Sequence, residues 1–253
     1  MNHPASTPLE APLSDATRKK LARVGTANIA NALLKRGLRK TYMLGTAPLS
    51  EGQEQMVGPA YTLRFIPSRE DIDTMANYAR ADNLHRRGIE ECPPGCVLVI
   101  DAGGNTDASS AGDLMAARMR KRGVAGVVTD GGFRDTPAIR KTGLPAYQQR
   151  TAPPATPIAM HPVELNGPVG CAGVAVYPGD VLVGDGEGVV VIPRHLVEEI
   201  ADEAVDAVEY EVFAELQIAR GRTLFEVFPA TADSRREYER WVASGRPSLK
   251  ESK

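Results

Sequence analysis

The segment from Gly112 to Asp135 constrains this chain most: a helix and then a strand, with charged residues at both ends. Twenty residues separate Asp113 from Arg134, and Asp135 follows at once. Residues 114–122 read as a helix whose basic residues come late, opposite the negative end of the helix dipole. Gly123 stops it, and the apolar run 124–129 suits a buried strand. A crossover between parallel strands brings successive strand ends to the same sheet edge. Asp113 and Arg134-Asp135 are therefore expected to converge at the edge where α/β proteins build their sites.

Those residue types carry a definite chemistry. Asp113 suits a helix N-cap and leaves the backbone N–H groups of Leu114 and Met115 to meet a carboxylate or phosphate. Arg134 offers a fork that grips a carboxylate or 2-oxo acid. Asp135 is a hard oxygen ligand suited to Mg²⁺ or Mn²⁺ kept largely hydrated. An arginine and a divalent ion facing one small anion stabilise an enolate. The plainer alternative is a capped helix beside a surface Arg-Asp pair. The glycines of Asp130-Gly131-Gly132 favour a site, because they admit close backbone approach just before the arginine.

A chain of 253 residues allows one large domain or two small ones. With a net charge of −2 it has no basic field for nucleic acid, and no run is apolar for long enough to span a bilayer. Residues 1–14 form an N-terminal arm without the apolar core of a signal peptide, so a cytoplasmic protein is expected. The four histidines are scattered, which leaves the cysteines without zinc spacing. Cys92, Cys96 and Cys171 read as small buried hydrophobes.

The pattern predicts a helix over residues 14–36, capped at Ser14-Asp15, and a strand over 57–66. Ser68-x-x-Asp71 resembles a capping box for a helix running to about residue 87. A buried strand over 96–100 follows. Short strands are expected at 144–147, 157–160, 169–176, 181–183 and 189–192, with a glycine hairpin at 184–188. A long helix over 194–220 and a helical patch over 234–242 complete the reading. Gly103-Gly104-Asn105 lacks the spacing of a nucleotide loop, though it leaves room for close ligand approach. Asp185 and Glu187 are open to two readings, metal ligands or a polar hairpin tip. Arg80 and His85 are candidates for the distal part of a substrate, or members of a solvated helix face.

The Asp113-x20-Arg134-Asp135 signature resembles that of class II 4-hydroxy-4-methyl-2-oxoglutarate / 4-carboxy-4-hydroxy-2-oxoadipate aldolases. These share a fold with the regulator of ribonuclease activity A. Val57-Gly-Pro-Ala-Tyr-Thr62, Gly123-x-x-Gly126-Val-Val-x-Asp130-Gly, Pro178-Gly-Asp180 and Asp185-x-x-Gly188-Val-Val-Val-Ile-Pro193 fall in family order. The resemblance implies an α/β fold, a swivelling β/β/α sandwich (RraA-like). It covers residues 15–225 as one domain, with 226–253 as a C-terminal helical extension. It implies homotrimers or homohexamers with sites between subunits. Asp135 then resembles the metal-binding aspartate, and Asp113 binds the metal through water. Arg134 looks like the arginine that holds pyruvate, with Gly112 and the N–H groups of Leu114 and Met115 on its carboxylate. A glutamate from a neighbouring subunit would reach the metal through water; Glu211 is the best match and Glu209 the fallback.

The function so implied is a lyase dependent on Mg²⁺ or Mn²⁺. It would cleave the C–C bond of a 4-hydroxy-2-oxo acid to release pyruvate, with oxaloacetate decarboxylation on the side. The alternatives are a non-catalytic regulator binding ribonuclease E or another protein, and a different metal-assisted enzyme such as a sugar-acid dehydratase. The stretch 107–112 and the region of Arg80 and His85 depart from a familiar aldolase pocket, and the tail is longer than in compact members.

Overall fold

In the computed structural model, residues 12–246 are described. The expected arm therefore lies outside them up to residue 11, as does the end of the extension from residue 247. Thirteen strands lie among them. These are β1 (Ala47–Pro48), β2 (Met56–Pro67), β3 (Val97–Asp101), β4 (Ser109–Ala111), β5 (Gly126–Thr129), β6 (Gly132–Phe133), β7 (Ala146–Gln148), β8 (Arg150–Thr151), β9 (Met160–Leu165), β10 (Val169–Cys171), β11 (Val174–Val176), β12 (Val181–Asp185) and β13 (Gly188–Ile192). The helices are α1 (Asp15–Leu21), α2 (Thr26–Lys35), α3 (Met75–Tyr78), α4 (Leu84–Glu91), α5 (Asp113–Lys121), α6 (Thr136–Thr142), α7 (Val197–Ala219), α8 (Leu224–Val227) and α9 (Ala232–Ala243).

The main sheet runs β1-β7-β5-β3-β2-β12-β13, with β9 on the far half of β2. Strands β2, β3, β5 and β7 are parallel, as the crossover through α5 requires. Twelve-residue β2 serves two partners along one edge: Met56–Pro59 pair with β12 and Leu63–Pro67 with β9. Residues 41–43 bond to β13 before the chain reaches β1 at the opposite edge, so the sheet nearly closes on itself.

Period-two alternation sorts the strand side chains between an inner core and two outer ones. Met56, Ala60, Val97, Val99, Val189 and Val191 point inward, where the β10–β11 hairpin adds Val169, Cys171, Val174 and Val176. Tyr61, Leu63, Phe65, Leu98 and Ile100 point outward, against Ile89, Ala116, Met119 and Ile139 of α4, α5 and α6. Val57, Val181, Val183, Val190 and Ile192 meet α1, α2 and α7 on the other outer face. Sheet halves facing each other with helices outside give the expected β/β/α arrangement.

Several elements differ from the sequence reading. The helix over 14–36 is two helices, with Ser14 capping the first as expected and Gly25 starting the second. The capping box at Ser68 does not form: the Ser68 hydroxyl donates to Ile158 O at 3.0 Å, and Thr74 and Asn83 cap α3 and α4 instead. The expected strand at 169–176 is a hairpin. Its turn residues Ala172 and Gly173 both have positive φ, the two-residue geometry that suits a right-twisted ribbon. The strand expected at 157–160 is mostly a 3₁₀ turn, Thr156–Ile158, leading into β9. The three cysteines are buried and unpaired, as read.

The C-terminal helices pack on the end of α7. Tyr210, Phe213, Val227 and Tyr238 form a small core with Trp241 against it. The Tyr210 hydroxyl is 2.6 Å from Val227 O and 2.7 Å from Ser234 Oγ. No described helix is long and apolar enough to cross a membrane.

Candidate active site

Each of β3, β5 and β7 ends at one edge of the main sheet, and the chain then enters a small parallel sheet, β4-β6-β8. The pairing Ala111↔Phe133 sets the site, because the residues that follow, Gly112 and Arg134, then lie side by side. The Arg134 N–H donates to Ala111 O at 3.1 Å. A Cβ on Gly112 would sit 3.0 Å from Asp135 Oδ2 and 3.3 Å from Arg134 Nε. The convergence expected from the crossover is thus produced by register.

Gly131 and Gly132 are where the chain cannot carry side chains. A Cβ on Gly131 would meet Asn105 O at 2.7 Å, and one on Gly132 would strike Arg150 O. The close approach inferred for these glycines is real, but it is made to the protein's own backbone. The Gly103-Gly104 loop is likewise committed. Asp130 accepts from the N–H groups of Ala102 (2.7 Å) and Gly104 (2.9 Å), and Asp101 from that of Gly103 (2.9 Å). Burial of Asp130 pushes its carboxyl above the ordinary value, a cost that those N–H donors partly offset. With its donors held by two carboxylates, the loop braces the site and offers no nest for an anion. Asp101 and the bracing role of Asp130 were missed in the sequence; Asp101 ends β3 and Asp130 follows β5, each just before small residues, which was the available signal.

Gly112, Asp113, Leu114, Met115, Arg134 and Asp135 all line one cavity of about 230 Å³. Arg134 Nε donates to Asp135 Oδ2 at 2.9 Å, with both side chains nearly half exposed. Asp135 occupies the N-cap of α6 in the left-handed region (φ 55°), yet its side chain makes no cap bond. Of its two carboxylate oxygens, Oδ2 accepts from Arg134, and no partner of Oδ1 is recorded among the described residues. Asp113 corrects the sequence reading. Gly112 is the N-cap of α5 and Asp113 its first residue. The Asp113 carboxylate accepts from its neighbour Leu114 N–H at 2.8 Å. Of the expected pair, only the Met115 N–H has no recorded side-chain acceptor among the described residues.

The remaining lining was not anticipated: Met75 and Tyr78 from α3, with Ser109, Ala155 and Thr156. These come from segments without strong periodicity, and only the fold delivers them. His85 is not on a solvated face. It is fully buried, packs 6.0 Å from the Tyr78 ring, and its Nε2 lies 2.8 Å from Ser110 O. A carbonyl only accepts, so Nε2 carries the proton. Burial holds the imidazole neutral, with its pKa pushed down to about 4. Arg80 is exposed and paired with Asp82 at 2.6 Å, outside the cavity.

Glu211 and Glu209 do not line the cavity. Glu211, half-buried on α7, accepts from the Asn28 amide at 3.0 Å, and Glu209 pairs with Arg246 at 3.0 Å. Asp185 accepts from the Thr26 N–H and hydroxyl and from the Glu187 N–H, which settles it as a fastener of the expected hairpin to α2. Among the described residues, no three His, Cys, Asp or Glu side chains gather into a metal cage.

The model of the RraA-like family, Aldolase/RraA, matches residues 26–191. The chain belongs to this family. The match takes in the whole Gly112–Asp135 segment and ends before α7, so Glu211 lies beyond it. A Halalkalibacterium halodurans protein named "Putative 4-hydroxy-4-methyl-2-oxoglutarate aldolase" is 35% identical over 161 residues, covering 62% of this chain and 68% of that one. Protein DlpA of Legionella pneumophila is 28% identical over 81% of this chain, which spans only 32% of DlpA. Among solved structures, Streptomyces coelicolor RraAS2, described as an unusual member of the RNase ES inhibitor RraA protein family, superimposes with a TM-score of 0.73. It is 33% identical, covering 83% of this chain and all of that one. The RraA-like fold expected from the sequence is thus the fold of the chain.

Proposed function

We propose that this RraA-like protein is a divalent-metal-dependent lyase that releases pyruvate from 4-hydroxy-2-oxo acids, with oxaloacetate decarboxylation as a side reaction. The observation that carries this reading is the Asp135 carboxylate. It is left free of capping duty beside Arg134 and faces Asp113 and the start of α5 across one small cavity. One or two carboxylates with open space around them suit Mg²⁺ or Mn²⁺, which keep most of their water. Asp135 would bind such an ion directly and Asp113 through water. The bound ion would act as a Lewis acid on the keto oxygen and carboxylate of the substrate.

The chain's own groups do the rest. Arg134, with Nε on Asp135, directs its other nitrogens to the pyruvoyl oxygens and stabilises negative charge as it develops there. The Met115 N–H at the positive end of α5 meets the substrate carboxylate, and that of Leu114 joins when Asp113 turns away from it. Asp113 holds the water that takes the proton from the 4-hydroxyl. The C3–C4 bond then breaks, its electrons pass to the pyruvate enolate, and the other product leaves as an aldehyde or ketone. Protonation at C3 gives pyruvate. Decarboxylation of oxaloacetate uses the same enolate and needs no base for a hydroxyl.

We propose a homotrimer or homohexamer in which Glu211 of a neighbouring copy completes the site. Its amide partner leaves its charge unspent, whereas Arg246 already neutralises Glu209. The likeness to RraAS2 supports a second reading, a regulator that acts by binding a ribonuclease. Pyruvate release, coupled to NADH oxidation across a panel of 2-oxo acids with Mg²⁺ or Mn²⁺, separates the two. Asp135→Ala is expected to lower kcat/KM at least about a thousandfold. Full activity in that variant, or in EDTA, would refute the lyase assignment.

A further inference from the structure

A second hollow of about 590 Å³ adjoins the cavity, and Leu114 and Met115 belong to the walls of both. Helices α4 and α5 line it with three arginines, Arg86, Arg87 and Arg118, and two glutamates, Glu90 and Glu91. Two of the arginines are already paired. Arg87 grips Glu91 through Nε and Nη2 at 2.6 and 3.1 Å, and Arg118 grips Glu90 through the same two nitrogens at 3.0 and 2.8 Å. Arg80, nearby, is spent on Asp82. Arg86 differs: among the described residues no ion pair of it is recorded. Its Nη1 alone is used, donating to the carbonyls of Ala79 and Arg80 just past α3. The Nε–Nη2 edge, the fork its neighbours turn on their glutamates, has no recorded acceptor among the described residues. Ala79 follows directly on Tyr78, which lines the cavity, so Arg86 is fastened at the back of that wall. Burial raises the pKa of the Tyr78 phenol, and the charges of Arg134 and then Arg86 act against the rise. The phenol therefore stands in the field of both arginines.

Resting on the lyase reading, we infer that Arg86 is a specificity-determining residue that grips a second carboxylate, carried beyond C4 of the 2-oxo acid. Arg134 and the start of α5 take the pyruvoyl end, and the substrate runs past Tyr78 to the free edge of Arg86. The oxaloacetate reaction proposed for the same site already admits a substrate with two carboxylates. Charge explains the need for a further cation. Asp113, Asp135 and the neighbouring copy's Glu211 bring three negative charges, and Arg134 with a divalent ion brings three positive ones. The assembled site is then neutral, so a dianionic substrate arrives with two charges that nothing within it balances. A distal carboxylate left against Met75 and Tyr78 would lose hydration without gaining a partner. At Arg86 it meets a planar fork that matches its two oxygens.

The test measures calorimetric binding of two unreactive ligands with Mg²⁺: 2-oxoglutarate, and 2-oxopentanoate, which has the same chain without the second carboxylate. The wild type is expected to bind 2-oxoglutarate at least about tenfold more tightly. Arg86→Met should weaken 2-oxoglutarate about 10- to 100-fold, the range for a hydrogen bond between charged groups, and leave 2-oxopentanoate within about twofold. Arg86→Lys, which keeps the charge without the fork, should recover part of that loss. Arg87→Met removes an exposed charge already paired and should shift neither ligand more than about threefold. In turnover, Arg86→Met should raise KM for 4-hydroxy-2-oxoglutarate with kcat nearly unchanged, and should spare 4-hydroxy-2-oxopentanoate. Equal weakening of both ligands would mean that Arg86 merely braces α3 and would overturn the inference. Equal affinity of the wild type for the two ligands, or failure of both to bind, would overturn it as well. Absence of turnover with every 2-oxo acid would instead strike the lyase reading, leaving the binding comparison to decide this one.

Discussion

Gly112→Ala isolates the contact on which the candidate site depends. The backbone at Gly112 is extended (φ −125°, ψ −174°), so alanine fits without strain. Restricting the unfolded chain favours the variant by about 0.4–1 kcal/mol, and loss of a glycine N-cap costs a similar few tenths to about 1 kcal/mol. Stability should therefore be nearly unchanged, with Tm within about 3 °C of the wild type. The site is affected differently. The new Cβ would lie 3.0 Å from Asp135 Oδ2 and 3.3 Å from Arg134 Nε, closer than ordinary contact by up to about half an ångström. Arg134 and Asp135 must give way by that amount. A misplacement of about 1 Å costs about 100-fold in rate, so roughly half that distance should cost about tenfold, or about 1.4 kcal/mol of barrier. The assay is coupled pyruvate release beside a thermal melt. Activity within about twofold of wild type would refute the argument, as would a loss that merely follows a collapse in Tm.

Two further predictions concern stability. His85 titrates near 6.5 when unfolded and about 4 when folded, so its contribution is fully present above 6.5 and is lost as pH falls toward 4. The loss is capped at about 3 kcal/mol; urea midpoints at pH 7 and 4.5 should differ less in His85→Gln, and an equal difference would count against buried, neutral His85. Tyr210→Phe removes the hydroxyl that joins α7 to Val227 and Ser234 and should cost about 1–2 kcal/mol. Hydrogen exchange should then speed up in α9 and not in β3; uniform acceleration would show that the extension does not open on its own.

Legibility followed the range of the interactions. The α5–β5 crossover and the β12–β13 hairpin were plain in the sequence, because local periodicity and glycine placement specify them. The break between α1 and α2 was hidden because Leu21, Val24, Ile29 and Leu33 continue one buried stripe across it. Ser68 misled because its hydroxyl is taken by Ile158, ninety residues away, and no local rule reports such a partner. The site divided in the same way. Asp113, Arg134 and Asp135 were visible as the two ends of one crossover. Tyr78, at the end of the four-residue α3, and Thr156, in a 3₁₀ turn, reach the cavity through long-range packing that no local pattern reports, and the bracing by Asp130 depends on a loop conformation that spacing does not encode.

Strand β2 has a consequence for biogenesis. Its N-terminal half waits for β12 and its C-terminal half for β9, partners that lie about a hundred residues or more downstream. Helices α1 and α2 likewise wait for α7. On the ribosome, a nascent chain carrying β2, β3 and α5 therefore presents an apolar strand with one edge bare for most of its synthesis. Contacts so distant in sequence close slowly, and a bare strand edge invites pairing with other chains. Chains truncated before β12 should accumulate as aggregates, which makes the last third of the polypeptide a built-in checkpoint on the release of folded protein.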